Sequence, residues 1–194
     1  MTPAAALDEA FAAAPRTRFL PADQRRFAAL DSPLPIGWGQ TNSQPSTVRA
    51  MLRLLDVAPG QRVLDVGCGS GWTTALLAHL VGPNGAVLGV ERVPGLVARA
   101  GAALDGLATV SVHQALEGTL GLPSDAPFDR VLVSAGASRF PRELVDQLGD
   151  EGVLVVPVAG EMLRARRTPS GPTEPARTEV TRHGGYSFVP LIGG

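Results

Sequence analysis

The sequence predicts an α/β protein whose doubly wound, mostly parallel sheet carries helices on both faces and an antiparallel edge at its C-terminal end. Three observations support this prediction. Short apolar segments rich in β-branched residues alternate with segments whose apolar residues have helical spacing. The strand segments are nearly continuous apolar runs, which are typical of parallel strands covered on both faces. A glycine-rich turn joins the first of these strands to the following helix.

The predicted elements follow one another in a regular order. Residues 1–30 are predicted to be helical with interruptions at Pro15 and Pro21, and residues 31–44 to form an irregular loop. A helix is predicted at 47–55, and strands follow at 63–66, 86–91, 109–113, 128–134 and 152–158, with helices at 72–81 and 96–104 between the first three. Weaker patterns at 162–167 and 178–182, on either side of a Pro-rich loop, suggest strands that return antiparallel.

Length and composition restrict the possible functions. A chain of 194 residues with 44% hydrophobic residues is long enough for one domain and too short for two ordinary ones, so residues 1–194 are expected to form a single domain. The net charge of −1 provides no positive field for nucleic acid, and no nucleic-acid partner is expected. All 17 basic residues are Arg, which excludes a pyridoxal Schiff base and a phosphate-binding loop ending in Gly-Lys-Ser/Thr.

Cysteine, histidine and hydropathy patterns indicate the cellular location and the absence of a metal site. Cys68 is the only cysteine, so the chain forms neither an internal disulfide nor a cysteine cluster for zinc. The histidines at 79, 113 and 183 lack metal-ligand spacing, and no metal is predicted. The chain does not begin like a signal peptide, and no apolar run is long enough to span a membrane. A cytoplasmic protein that binds no membrane is therefore expected.

The segment Val63–Gly71 is the most informative local pattern. A buried strand runs into Gly67, Gly69 and Gly71 at the start of a helix, where glycine lets a ligand approach the backbone and the helix N-terminus is expected to present free N–H groups. About 20 residues on, Glu91 ends the next strand, where doubly wound nucleotide-binding folds place a carboxylate that bonds ribose hydroxyls. A nucleoside ligand is therefore predicted, against the alternative of a glycine-rich turn without a ligand.

The glycine spacing separates two cofactor classes. Dinucleotide-binding folds use G-x-G-x-x-G, whereas this chain reads G-x-G-x-G and has Trp72 where the dinucleotide pattern has its last glycine. With Asp65 ahead of the first glycine, the pattern resembles the S-adenosylmethionine-binding motif of Rossmann-like methyltransferases. An NAD-dependent oxidoreductase, or a cofactor-binding module without catalysis, is the alternative from another class. Cys68 within the turn is expected to pack as a small residue and not to act as a nucleophile.

A loop upstream of this motif has a distinctive composition. Residues 34–45 read LPIGWGQTNSQP, which is similar to the LPIGxGQTxSxP segment of protein-L-isoaspartate O-methyltransferases. Further similarities to this family are Arg18–Pro21, Ala126–Asp129 and Phe188–Gly193. The resemblance therefore covers nearly the whole chain.

The resemblance implies transfer of a methyl group from S-adenosylmethionine to the free α-carboxylate of an L-isoaspartyl or D-aspartyl residue in a damaged protein or peptide. S-adenosylhomocysteine is the product, and the ester then closes to a succinimide, which leads to repair. Because the acceptor carboxylate is already ionised at neutral pH, no strong general base is expected, and placement of the reacting atoms is the main requirement. By resemblance, Ser43 is the catalytic residue that aims this carboxylate. The protein is expected to act on such peptides as a monomer.

Two further groups of residues follow from the resemblance. The cofactor is expected to contact the loop, the glycine turn and the ends of two strands, at Gln40, Thr41, Asn42, Asp65, Gly67, Cys68, Gly69, Gly71, Glu91, Arg92, Gln114 and Ala115. The substrate is expected to contact Ile36, Pro190, Leu191 and Ile192. Residues 1–45 would then hold the N-terminal helices and active-site loop, residues 46–158 the cofactor-binding core, and residues 159–194 the C-terminal strands and substrate-side tail.

The chain departs from the family pattern at three positions. Asn42 replaces an aliphatic residue, Ser46 stands where an aromatic residue or histidine is common, and Gln114 replaces an aspartate expected to bond the adenine amino group. The Gln114 carbonyl can still accept that bond. These changes leave open a second hypothesis, in which the acceptor is an aspartate of one dedicated biosynthetic peptide or a small molecule. Residue type alone predicts that Ser43 or Ser46 caps the helix beginning near residue 47, and the resemblance leaves Ser46 as the expected cap.

Overall fold

The N-terminal part of the chain contains less helix than its pattern predicts. The computed structural model describes residues 2–169 and 177–191. Helix α1 spans Ala4–Ala13, and the chain then forms only 3₁₀ turns at Arg16–Phe19 and Arg25–Phe27. The predicted interruptions at Pro15 and Pro21 are present, since proline lacks the backbone donor that a continuing helix needs, but the helix expected between and after them is wrong because only 3₁₀ turns form there.

The expected irregular loop at 31–44 also contains regular structure. Strand β1 (Leu34–Gly37) and strand β2 (Gln40–Asn42) pair antiparallel in a small sheet of their own. Gly37, Trp38 and Gly39 in the turn between them all have positive φ. Glycine adopts this conformation easily, whereas at a tryptophan it is unusual.

The rest of the chain builds one seven-stranded sheet with its covering helices. Its elements are α2 (Pro45–Leu55), β3 (Arg62–Val66), α3 (Trp72–Val81), β4 (Ala86–Glu91), α4 (Pro94–Leu104), β5 (Val110–Gln114), β6 (Phe128–Val133), α5 (Arg142–Val145), β7 (Leu148–Val158), β8 (Glu161–Thr168) and β9 (Arg177–Gly185). The predicted bounds of α3 and β4 agree with the structure, while β7 begins well before residue 152 and the short α5 was not predicted. Most of the predicted Pro-rich loop lies outside the described residues.

The order of the strands is β5-β4-β3-β6-β7-β8-β9. Strands β3 to β7 are parallel to one another, and β8 and β9 are antiparallel, so the predicted fold class is confirmed. The chain moves outward from β3 to β5 and then returns to β6 on the other side of β3. In open α/β sheets a ligand binds at the carboxyl ends of the strands where the order reverses in this way. The topology therefore places the expected site beyond Val66 and Val133.

Two apolar cores cover the two faces of the sheet. One contains side chains of α1, α2, α3 and α4, and the other contains Leu144 and Val145 of α5. Adjacent residues of β3 divide between them, since Val63 joins the first core and Leu64 the second. Burying a side chain of this size stabilises the fold by about 1.5–3 kcal/mol, so β3 is firmly fixed from both sides.

Helix α1 belongs to the first of these cores. Leu7 and Ala10 are fully buried, and the indole N–H of Trp72 at the start of α3 donates to the carbonyl of Ala14 at 3.0 Å. The N-terminal segment is therefore anchored to the helix that follows the glycine turn.

In residues 2–169 and 177–191, no helix is both long and apolar enough to cross a membrane. The same residues contain no group of three or more His, Cys, Asp or Glu side chains placed to hold a metal ion.

Candidate active site

The glycine turn after β3 is held by backbone groups and one carboxylate. The N–H groups of Gly67 and Cys68 donate to the carbonyl of Val90 at 2.8 and 3.1 Å. The N–H of Gly69 donates to Oε2 of Glu91 at 2.9 Å. These three donors attach the turn to β4, whereas the free N–H groups were expected at the start of α3, which follows the turn.

Glu91 ends β4 with its carboxylate fixed in one orientation. Oε1 accepts hydrogen bonds from the N–H groups of Arg92 at 2.7 Å and Val93 at 2.9 Å, while Oε2 accepts the one from Gly69. The residue is only 7% exposed. A carboxylate oxygen can accept two hydrogen bonds, so Oε2 keeps the capacity for one from a ligand hydroxyl.

A cavity of about 200 Å³, named here the first chamber, lies where β3, β4 and β6 end. Apolar side chains and a few polar groups line it together, which is the composition of a small-molecule site. Many of the residues predicted to contact the cofactor are in its wall, namely Gln40, Thr41, Gly67, Gly69, Glu91, Arg92 and Ala115.

The sequence analysis missed other residues of this wall. Thr119, Leu120 and Gly121 lie in the loop after β5, and Ser134 follows β6. The loop has no periodic pattern that marks it. Ser134 could have been found, because it stands at the carboxyl end of a strand beside the reversal of the sheet order.

A second cavity of about 250 Å³, the second chamber, adjoins the first, and Thr41, Ser134 and Val189 line both. Its other hydroxyl groups belong to Ser43, Thr47 and Ser187, with Pro33, Gln44 and Phe188 completing the wall. Among the described residues, no titratable side chain lines this chamber. The second chamber can therefore donate hydrogen bonds to an anion but offers it no charged partner or general base.

Ser43 lies in the second chamber with its side chain half-buried. Its backbone carbonyl accepts a hydrogen bond from Arg16, while no group in the described part of the chain hydrogen-bonds its hydroxyl. The hydroxyl is therefore available to a ligand in the chamber.

Helix α2, which begins two residues after Ser43, is capped from a distant part of the chain. Oδ1 of Asp31 accepts the N–H of Ser46 at 2.9 Å, and Oδ2 accepts the side-chain amide of Gln44 at 3.0 Å. These hydrogen bonds, the backbone one from Ser46 above all, lower the pKa of Asp31. The expected cap by the Ser46 side chain is wrong, because Asp31 supplies the acceptor.

Arg16 is a buried arginine that holds the loop before α2. Its Nε donates to Oδ1 of Asn42 at 2.7 Å, and its Nη2 donates to the carbonyls of Asn42 at 3.0 Å and Ser43 at 2.9 Å. Three further bonds reach the carbonyls of Ala28, Leu30 and Ser32. Burial lowers the pKa of this guanidinium. The sequence analysis missed Arg16, because an arginine in a short helical segment gives no sign of burial.

Asn42 faces Arg16 and not the first chamber. It is 5% exposed, and its side-chain Nδ2 lies 3.5 Å from the hydroxyl of Ser70. Asn42, which was predicted to contact the cofactor, therefore links the arginine to the glycine turn. Its departure from the family pattern points into the protein interior.

Asp65 lies within β3, beneath the glycine turn. Its carboxylate accepts hydrogen bonds from the hydroxyls of Thr74 at 2.8 Å and Ser134 at 3.3 Å. Complete burial raises its pKa to about 6. Asp65, predicted to contact the cofactor, does not line the first chamber, and its hydrogen bonds tie α3 and the end of β6 to β3.

Cys68 and Gly71, also predicted to contact the cofactor, do not line the first chamber and have packing roles in the turn. The sulfur of Cys68 lies 3.1 Å from the position that a Cβ on Gly89 would take, so the thiol points into the sheet. Burial raises the pKa of this thiol, which removes the thiolate that a nucleophile needs. A Cβ on Gly71 would lie 2.8 Å from a methyl group of Leu104, so glycine there lets α3 pack against α4.

Gln114, which was predicted to contact adenine, forms a hydrogen bond to the chain just beyond β4. Its Nε2 donates to the backbone carbonyl of Arg92 at 2.5 Å, and the exposed side chain does not line the first chamber. Ala115, the next residue, does line it. The ends of β4 and β5 are joined by this bond from Gln114.

The C-terminal tail contributes to both chambers. The N–H of Gly136 donates to the carbonyl of Val189, and the N–H of Leu191 donates to the carbonyl of Gly136, both at 2.8 Å. Pro190 and Leu191, predicted to contact the substrate, line the first chamber, whereas Ser187 lines the second. The predicted site residue Ile192 lies outside the described residues.

Ile36 was also predicted to contact the substrate. It is 1% exposed and lines the first chamber, with a methyl carbon 3.3 Å from the position that a Cβ on Gly69 would take. Its side chain therefore supports the glycine turn on the first-chamber side.

The chain is similar to known proteins over most of its length. The sequence profile of the protein-L-isoaspartate(D-aspartate) O-methyltransferase family matches residues 3–194. A protein-L-isoaspartate O-methyltransferase of Methanopyrus kandleri is 44% identical over 187 residues, which are 95% of this chain and 82% of that protein. Its counterpart from Pyrococcus horikoshii is 40% identical over 188 residues, covering 96% of this chain and 84% of that protein.

Solved structures show the same fold. A protein-L-isoaspartate O-methyltransferase of Plasmodium falciparum in complex with S-adenosyl-L-homocysteine superposes with a TM-score of 0.80 and 24% identity, over 97% of this chain and 91% of that one. A second structure of that name also has a TM-score of 0.80, with 23% identity over 97% of this chain and 61% of the other. The profile match and the identity to curated relatives show that the chain belongs to the protein-L-isoaspartate(D-aspartate) O-methyltransferase family.

Proposed function

We propose that this chain transfers the methyl group of S-adenosylmethionine to the α-carboxylate of L-isoaspartyl or D-aspartyl residues in damaged peptides and proteins. The observation that carries this proposal is the junction of two chambers of different chemistry. One is a mixed apolar and polar pocket beside Glu91, and the other is lined by hydroxyl groups. Membership of the family indicates that the reaction is a methyl transfer, which would occur where the two chambers meet.

The first chamber fits a nucleoside with a free ribose. Oε2 of Glu91 has the capacity to accept a hydrogen bond from a ribose hydroxyl, and Val90 and Leu120 provide an apolar wall for a base. Gln40 and Thr41 would hold the amino-acid part. S-adenosylmethionine, when bound, supplies a methyl group activated by a positively charged sulfur.

The second chamber suits an acceptor that is already ionised. A carboxylate with a pKa of about 4 carries its charge at neutral pH, so it needs no general base, and the described residues of the chamber wall provide none. One carboxylate oxygen forms a bond to the methyl carbon as the carbon–sulfur bond breaks, and the bonding electrons neutralise the sulfur. Both charges disappear in this step, so no proton moves.

Ser43 is proposed to aim the acceptor carboxylate. Its hydroxyl is available in the second chamber, and the bond from Arg16 to its carbonyl fixes the backbone from which the hydroxyl projects. Alignment of reacting atoms contributes up to about 7–11 kcal/mol in well-oriented systems, which makes such positioning the main task of the protein.

Transfer of labelled methyl groups from S-adenosylmethionine to an isoaspartyl peptide tests the proposal, with the aspartyl peptide of the same sequence as the control. We expect label in the isoaspartyl peptide alone, and much less with Ser43→Ala. Equal labelling of the two peptides contradicts the proposal, and so does labelling of neither by a chain that binds S-adenosylhomocysteine.

The alternatives receive less support from the structure. A dedicated biosynthetic peptide or small-molecule acceptor was suggested by Asn42 and Ser46, yet neither side chain lines the second chamber. A nicotinamide-dependent oxidoreductase would be stabilised by NAD. We expect S-adenosylhomocysteine, and not NAD, to raise the melting temperature of the purified chain.

Further features are proposed from the sequence. We propose a single-domain, cytoplasmic monomer that binds no membrane, with the chain divided at residues 45 and 158 as described above. The net charge of −1 argues against binding of nucleic acid. Light scattering of the purified chain tests the monomer, for which we expect a mass near 20.1 kDa.

A further inference from the structure

Trp38 at the tip of the β1–β2 hairpin is an exposed aromatic residue in a strained conformation. Its side chain is 54% exposed, and its φ is 52°. Bulky residues seldom adopt the left-handed region, and residues kept there are found at ligand clamps and active sites. The conformation of Trp38 therefore calls for a role beyond closing the turn.

Two residues of α4 hold the indole of Trp38 in place. A Cβ on Gly95 would lie only 2.2 Å from Cζ2 of the indole, so the ring rests directly on the helix backbone. One turn later, the guanidinium carbon of Arg99 lies 5.1 Å from the ring centroid, which is a cation–π contact. Arg99 also donates to the carbonyl of Ile36 in the same hairpin. Helix α4 thus fixes both the ring and the strand that carries it.

The indole held in this way lines the first chamber. Helix α4 begins directly after Glu91, Arg92 and Val93, so its first turn, on which the ring rests, adjoins the carboxylate assigned to the ribose. Flat aromatic side chains are suited to contact a base or ribose, since they offer a large apolar face with little rotational freedom.

We infer that Trp38 forms an aromatic wall for the nucleoside half of the cofactor, and that Gly95 is the position that allows this wall to close. The inference rests on the proposed function, in which S-adenosylmethionine occupies the first chamber. Trp38 is then a specificity-determining residue of the cofactor site. The hairpin contributes it, whereas the glycine turn and the main sheet contribute other parts of that site.

Binding of S-adenosylhomocysteine to single and double variants, measured by calorimetry, tests the inference. Trp38→Ala is expected to raise the Kd by about tenfold, and Trp38→Phe to recover most of the affinity. Gly95→Ala alone is expected to weaken binding about as much as Trp38→Ala, because a methyl group and the indole cannot both occupy the contact. The double variant is expected to match Trp38→Ala, since the added methyl group then displaces nothing.

Gly101→Ala is the matched control for Gly95→Ala. Gly101 lies in the same helix, and a Cβ there would meet no atom within 4 Å. Alanine favours a helix over glycine, so both alanine variants are expected to fold, and Gly101→Ala is expected to bind with unchanged affinity. Circular dichroism of each variant separates loss of binding from loss of folding.

Two further measurements identify the part of the cofactor involved. 5′-Methylthioadenosine keeps the nucleoside and lacks the amino acid, and Trp38→Ala is expected to weaken its binding by the same factor. The chain has two tryptophans, of which Trp72 is 3% exposed, so a fluorescence change on adding S-adenosylhomocysteine is expected in the wild type and not in Trp38→Phe.

The outcomes distinguish this inference from the proposed function. A wild-type chain that does not bind S-adenosylhomocysteine contradicts both. If the wild type binds S-adenosylhomocysteine and both Trp38→Ala and Gly95→Ala bind it within twofold of the wild-type Kd, the inference is overturned while the proposed function stands. Additive effects in the double variant, or weakening confined to S-adenosylhomocysteine, also overturn it.

Discussion

Replacing Glu91 with glutamine tests how the glycine turn and the first chamber are held together. The carboxylate accepts three backbone hydrogen bonds, two at Oε1 and one at Oε2. A glutamine oxygen can take the place of Oε1 and keep the bonds from Arg92 and Val93. Its NH₂ group then faces the N–H of Gly69, so two donors meet and the bond at 2.9 Å is lost.

The same NH₂ group also replaces the acceptor that Oε2 is proposed to offer to a ribose hydroxyl, and the loss of this contact with the ligand weakens binding. A hydrogen bond to a charged group contributes about 1.5–3 kcal/mol, and each 1.4 kcal/mol is about tenfold in an equilibrium constant, so Glu91→Gln should raise the Kd of S-adenosylhomocysteine by about 10- to 150-fold. Isothermal titration calorimetry measures this change. Glu9→Gln is the control, because Glu9 is exposed on α1 and the charge change is the same.

One result would refute this account of Glu91. If Glu91→Gln retained the wild-type Kd within about twofold while Glu9→Gln behaved as expected, the carboxylate would not accept a hydrogen bond from the ribose. Circular dichroism must show a folded variant for this comparison.

Three other substitutions have defined outcomes. Burial raises the pKa of Asp65 from 3.8 to about 6. The folded wild type therefore binds the carboxyl proton more tightly than the unfolded chain does, and its free energy of unfolding falls as the pH rises from about 4 to about 6. Because asparagine does not titrate, the free energy of unfolding of Asp65→Asn should rise by up to ~3 kcal/mol relative to wild type across that window and stay higher above it. Thermal melts from pH 4 to 8 measure this, and a difference in stability that does not change with pH contradicts the pKa shift. Arg16→Lys should lower the free energy of unfolding by about 3 kcal/mol in urea titrations, since lysine cannot satisfy all the carbonyls; unchanged stability contradicts this role. Ser43→Ala should lower kcat/KM for an isoaspartyl peptide by about 10- to 150-fold and leave the Kd of S-adenosylhomocysteine unchanged, and equal loss of both argues against a role in aiming the acceptor.

The core of the fold could be predicted because its pattern is strong and local. The apolar run of β3, the glycine turn and the helix α3 are adjacent in sequence; the bounds of α3 agree with the prediction, and β3 begins one residue earlier than predicted. The hairpin of β1 and β2 could not be predicted, because strands of three and four residues are too short to show periodicity. Contacts with α4, far along the chain, hold its tip in place.

The position of a side chain relative to a cavity was the least predictable feature. Asp65 and Glu91 are both acidic residues at the ends of neighbouring strands, yet only Glu91 reaches the first chamber. The difference lies in two positions of register, since Asp65 pairs with Gly89 in β4 and Glu91 lies two residues further toward the carboxyl end of that strand. Asn42 likewise matched a motif position, but its direction was set by Arg16, whose burial depends on the tertiary structure.

Strand β9 has a consequence for how the protein behaves at high concentration. It forms the outer edge of the seven-stranded sheet, and most of its residues are exposed. An open edge can template pairing with a strand of another molecule, which leads to aggregation. Arg177, Glu179 and Arg182 place charges of both signs along this edge, and its last residues are Gly184 and Gly185. Charged residues and glycines disfavour pairing with a further strand. Strand β9 is therefore expected to oppose edge-to-edge association of separate copies of the chain.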